Sequence, residues 1–127
     1  MGEKFAEEGF FFIKFNFSHN GTTPQDPEDF MDIEAFGENN YIKELDDLQS
    51  IIDFILLPDF EFASHLDVTN INLIGHSRGG GIAAIKASEE ERITKLITYS
   101  SVSDYASRFP EKEEIEKWEK KRSELYC

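Results

Sequence analysis

Gly75-His76-Ser77-Arg78-Gly79-Gly80-Gly81 lies between an apolar run, Asn70 to Ile74, and a segment rich in small residues that extends to about Glu90. The run predicts a strand. Beyond it, Ile82, Ala83 and Ile85 supply the apolar positions of a helix beginning at Arg78. The pattern Gly-x-Ser-x-Gly at such a junction describes a sharp strand-to-helix turn with a serine at its tip. A serine hydroxyl is a weak nucleophile and must project clear of its own backbone toward a base. The turn achieves this by holding the serine in a strained conformation. Side chains two residues before and after it would meet neighbouring backbone, which gives Gly75 and Gly79 their expected role, with His76 at the variable position between. The helix start also aims N–H groups and the positive end of its dipole at the reacting centre. Ser77 is thus the candidate nucleophile and the Arg78 N–H a candidate oxyanion donor.

Two phosphate-binding motifs compete for the same residues. Gly79 to Ala84 also fits G-x-G-x-x-A, the dinucleotide fingerprint, with Asp104 at about the expected distance downstream. In that fingerprint the first glycine closely follows the strand, whereas His76, Ser77 and Arg78 intervene here. Its strand also normally opens the domain, and this one does not. A P-loop is disfavoured because no Gly-Lys-Ser/Thr follows.

Upstream, Met1 to Glu8 reads as the end of a helix stopped by Gly9. Phe10 to Phe17 is almost continuously apolar and short, the pattern of a strand buried on both faces of a parallel sheet. Ser18 to Gly21 supplies a turn. Pro24 and Pro27 disfavour a regular element, while Phe30, Ile33 and Phe36 predict a short helical turn. Tyr41 to Leu57 is the clearest helix: Ile42, Leu45, Leu48, Ile52 and Ile55 form its stripe, Asn40 its N-cap, and Pro58 ends it. Downstream, Ile93 to Tyr99 predicts a further strand. Phe109-Pro110 opens a last helix with Pro110 at its first position, acidic Glu111, Glu113 and Glu114 early, and Lys120, Lys121 and Arg122 late. Its apolar content is thin: Ile115, Trp118 and Leu125. Strands and helices alternating in this way predict an α/β fold, a parallel sheet with helices on both faces.

Composition narrows the partners. In 127 residues, 26 acidic against 13 basic side chains leave a net charge of −13, which repels phosphate backbones and anionic headgroups, so neither nucleic acid nor a membrane is expected as partner. Twelve phenylalanines point to a packed interior. The lone cysteine, Cys127, has no partner for an internal disulfide. No apolar run approaches the ~20 residues of a membrane span, and Glu3, Lys4, Glu7 and Glu8 interrupt any signal peptide; the expected location is the cytoplasm. No histidine has metal-ligand spacing with another histidine or the cysteine, so no metal or cofactor is expected.

Phe10 to Thr23, the helix at 41–57 and the Gly75–Gly79 elbow together resemble the middle of α/β-hydrolases of the esterase, dienelactone-hydrolase-like and serine-peptidase-like groups. The likeness spans essentially the whole chain, as a single partial domain over residues 1–127. It implies that 10–17 is that fold's fourth strand, 70–81 the fifth strand with its elbow and helix, 93–103 the sixth strand, and 105–126 the start of a lid or of the next helix. It also implies acyl hydrolysis of a small-molecule ester, thioester or amide, with a triad in the chain order Ser, Asp or Glu, His. Yet His19, His65 and His76 all precede Ser77. The usual base is therefore expected outside this chain. Asp104, after the sixth strand, is the candidate acid, with a capping role as its alternative. The second oxyanion donor normally follows the third strand, which the likeness places between the fourth and fifth and upstream of Met1. Such a chain would be truncated and nearly inactive by itself, with Met1 internal to a longer enzyme, and its unpaired strand edges would offer a route to self-association. A non-catalytic binding module on the same scaffold is the alternative function, and a dinucleotide-binding domain a third.

Overall fold

The computed structural model describes residues 1–108 and 110–125, without the side chains of Trp118 and of residues 122–125. Strands β1 (Ile71–His76) and β2 (Ile93–Tyr99) run parallel, in register from Ile71 opposite Ile93 to His76 opposite Tyr99. Parallel neighbours require a crossover, and the helix between them supplies it. A register shift between Ile71 and Asn72 leaves Thr94 out of the pairing. Its hydroxyl lies 3.0 Å from the Ile71 carbonyl oxygen.

Three helices precede the sheet: α1 (Gly2–Glu7), α2 (Ile33–Gly37) and α3 (Tyr41–Ile55). Between the strands runs α4 (Ser77–Glu89), and α5 (Lys112–Leu125) follows them. As expected, the Asn40 side chain caps α3, accepting from the Lys43 N–H at 2.9 Å, and the helix stops before Pro58. The short α2 falls on the Phe30–Phe36 repeat and is capped by Asp32. Helix α4 packs on both strands and α3 packs on α4. Leu48 and Ile52 of α3 meet Ile82 of α4 in the core, with Phe15, Phe17 and Leu73 against them. One position of the expected α3 stripe fails: Ile42 is exposed, and the buried residue of that turn is Glu44.

Residues 10–17 are the main departure. They belong to no strand among the described residues. Their rings instead pack locally, Phe12 on Phe5 and Phe15 on Phe17 with centroids 5.3 Å apart in each pair. A trough of about 1330 Å³ is lined by this segment together with β1. Apolar content predicts burial, but a strand exists only where a neighbour completes its ladder, and the resemblance places a third strand at this position. The last helix also starts late. Glu114 and Ile115 N–H both reach the Glu111 carbonyl, so α5 begins at Lys112 and Pro110 lies ahead of it. Phe109 and Cys127 lie outside the described residues, as do the side chains of Trp118, Arg122 and Leu125.

Arg92, just before β2, ties the layers together. Its guanidinium reaches Glu90 at 2.6 Å and 2.8 Å and Asp53 of α3 at 2.6 Å, while Gln49 of α3 bridges Glu90 and the buried Lys86. Hydrogen bonds from Arg92, then from Gln49, hold the Asp53 carboxyl below its ordinary range, and Arg92 holds Glu90 well below it. A carboxyl depressed in the folded state stabilises the fold above its unfolded-state pKa, and that contribution is lost as pH falls through the folded-state value. Arg92→Gln should therefore flatten the acid limb. Urea midpoints compared between about pH 5.5 and about pH 3 are expected to fall less in the variant than in wild type; equal slopes would show the network to be inert.

Candidate active site

β1 passes into α4 without a loop: His76 is the last strand residue and Ser77 the first helical one. Ser77 has φ of 51°, in the left-handed region that a residue with a Cβ adopts at a cost of about 1–2 kcal/mol. The turn is possible because Gly75 has no side chain. A Cβ there would lie 2.6 Å from both the Gly79 carbonyl oxygen and the Gly80 Cα. The expected second contact is different. Nothing lies within 4 Å of a Cβ built on Gly79. The crowded glycines are the next two, Gly80 against Ser101 and Gly81 against the Tyr105 hydroxyl. The chain leaving β2 crosses the first turn of α4, so the steric demand falls one and two residues later than the motif implies.

That crossing segment bonds the elbow backbone. The Val102 N–H donates to the Ser77 carbonyl at 3.0 Å, and the Tyr105 hydroxyl donates to the Arg78 carbonyl. No side chain caps the α4 N-terminus, so its first N–H groups, that of Arg78 included, have no side-chain acceptor beside the exposed Ser77.

The Arg78 side chain turns back to α3. Its Nε lies 2.9 Å from both oxygens of Glu44, whose side chain is only 4% exposed. Asn39 donates a further bond to Glu44 at 2.8 Å. The guanidinium stacks on the Tyr41 ring, 4.2 Å from its centroid, and Tyr41 in turn meets Tyr105. Burial, and then the nearby charge of Glu44, raise the Tyr105 hydroxyl above its ordinary pKa, keeping it a donor. Glu44, Tyr41 and Tyr105 were not singled out from the sequence. One signal was available: Glu44, Leu48 and Ile52 follow one another at four-residue spacing, placing a carboxylate in line with the buried stripe.

The remaining candidates are dispersed. Asp104 Oδ1 accepts the N–H groups of Ala106 at 2.9 Å and Ser107 at 3.3 Å, capping the short turn Ala106–Arg108. His76 stacks on Tyr99 with centroids 4.7 Å apart. His19 pairs with Ser18 at 2.7 Å, and His65 ends the turn Ala63–His65. Among the described residues no histidine is hydrogen-bonded to Ser77, and no group of three or more His, Cys, Asp or Glu is arranged to hold a metal ion. No described helix is long and apolar enough to cross a membrane.

A family model for the alpha/beta hydrolase fold matches residues 1–125. The chain belongs to the α/β-hydrolase family. The uncharacterized protein YcjY of Escherichia coli (strain K12) is 30% identical to it over 101 residues, 80% of this chain and 29% of that protein. The chain thus spans less than a third of the length of this curated relative. As an α/β-hydrolase chain it holds a parallel strand pair, the helix that crosses between them and the elbow at their junction.

Proposed function

We propose that this chain carries the nucleophile and one oxyanion donor of a serine hydrolase acting on an ester, thioester or amide. The observation that supports it is Ser77: exposed, at left-handed φ, and at the uncapped N-terminus of a thirteen-residue helix. The Ser77 hydroxyl oxygen bonds to the substrate carbonyl carbon and the carbonyl electron pair moves onto oxygen, where the Arg78 N–H stabilises it. The hydroxyl proton passes to a histidine contributed by sequence outside this chain. That histidine then returns the proton to the departing alcohol, thiol or amine. Asp104 remains the candidate acid of the triad, although here its carboxylate serves the Ala106–Arg108 turn.

Without that histidine, turnover by this chain should lie on the order of 10⁶ below that of a complete triad, while the oxyanion donor leaves some reactivity at the serine. A fluorophosphonate is expected to form a slow stoichiometric adduct on the Ser77 peptide, absent in Ser77→Ala, with no aryl-ester turnover above background. An unlabelled Ser77 would overturn the nucleophile reading in favour of a non-catalytic module. Robust turnover lost in Ser77→Ala would instead place the base within the chain.

A further inference from the structure

Resting on that reading, we infer that the segment leaving β2 and the Glu44–Tyr41 pair are positioning residues that brace Arg78 so that its N–H is held at the oxyanion position. The Arg78 N–H and the Ser77 carbonyl belong to one planar trans peptide, so fixing one fixes the other. The Val102 N–H holds that plane through the Ser77 oxygen at 3.0 Å. The Tyr105 hydroxyl holds the next plane through the Arg78 oxygen. Both peptide planes flanking the Arg78 Cα are thereby tied to the same short stretch of chain. The side chain is tied separately, its Nε to Glu44 at 2.9 Å and its face to Tyr41.

Two neighbouring features fit this brace. Gly80 and Gly81 are the positions where a Cβ would strike Ser101 and Tyr105, so the glycine run past the elbow admits the bracing segment rather than the serine. Glu44 is nearly fully buried although it is a carboxylate on the core-facing side of α3, a placement that is unfavourable unless it holds a cation. Arg78 is that cation, at a helix N-terminus where a positive side chain gains nothing from the dipole. An arginine there is explained by its anchoring.

Tyr105→Phe, which removes one oxygen, and Glu44→Gln test the brace in the chain as it stands, with Leu48→Ala as a control that weakens the core without touching Arg78. Two readouts are used: the Arg78 amide ¹⁵N shift together with hydrogen exchange at the Val102 amide, which donates to the Ser77 carbonyl, and the fluorophosphonate labelling rate of Ser77. In both brace variants the Arg78 amide is expected to shift and the Val102 amide to lose protection. Labelling should slow about tenfold, less than the ~10²–10³ seen when an oxyanion donor is deleted, because the donor is misplaced and not removed. Leu48→Ala, corrected for folded fraction, should change neither. An Arg78 amide unmoved in both brace variants, or, where wild-type Ser77 labels, a labelling rate unchanged in both, overturns the inference. If the amide responds while wild-type Ser77 never labels, the brace stands and the nucleophile reading falls.

Discussion

The Gly75→Ala chain is expected to lose about 3 kcal/mol of stability, seen as a fall of roughly 10 °C in its melting temperature. The added methyl would sit 2.6 Å from the Gly79 carbonyl oxygen and from the Gly80 Cα. Carbon in ordinary contact stands about 3.5–4.0 Å away, so the junction must open by close to an ångström. Both obstructing atoms are backbone of the first α4 turn, and no rotamer change relieves them. Overpacking typically costs about 1–3 kcal/mol, and a clash against backbone on two sides belongs at the top of that range. Gly79→Ala is the matched comparison. No atom lies within 4 Å of its Cβ, and alanine is favoured over glycine inside a helix by about 0.8–1.0 kcal/mol. That variant should melt at or slightly above wild type. Equal losses in the two variants would refute the steric account of the elbow.

The contrast between these glycines marks how far the sequence could be read. Gly-x-Ser-x-Gly after an apolar run was enough to locate the strand, the turn and the helix, because each follows from residues adjacent in the chain. β2 was legible to the residue, and the Asn40 cap was too. Residues 10–17 were not, since their apolar pattern is satisfied equally by a strand or by rings packed on one another, and a ladder depends on a neighbour that the pattern does not contain. The site divides in the same way. Ser77 and its left-handed φ follow from the local motif. Tyr105 and Val102 reach the elbow from more than twenty residues downstream, and Glu44 from more than thirty upstream, through the packing of α3 on α4. Only the carboxylate in line with Leu48 and Ile52 left a trace in the sequence. Asp104 shows the opposite limit: its position after β2 fitted an acid, but short-range geometry gives its carboxylate two N–H groups of the following turn.

Arg78→Ala is expected to destabilise the chain by about 3 kcal/mol, a large effect for a side chain next to an exposed serine. Removing arginine leaves Glu44 buried with Asn39 as its remaining hydrogen-bond donor. Stranding a buried charge typically costs about 3–5 kcal/mol. The low end applies because the Arg78 side chain is 47% exposed, so water can follow where the guanidinium was. Loss of stacking on Tyr41 adds about 1 kcal/mol. Relief of a cation at the α4 N-terminus and the better helix propensity of alanine return a similar amount. The stranded carboxylate therefore decides the sign. Two companions separate this cause from simple loss of contact. Glu44→Gln should cost less than Arg78→Ala, because the amide needs no counter-charge, and the Arg78→Met, Glu44→Leu double variant should recover to within about 1 kcal/mol of wild type. Urea unfolding reads all three, with a midpoint drop of roughly 1.5 M expected for Arg78→Ala. A double variant less stable than Arg78→Ala would show that the pair contributes net attraction beyond the charge it neutralises.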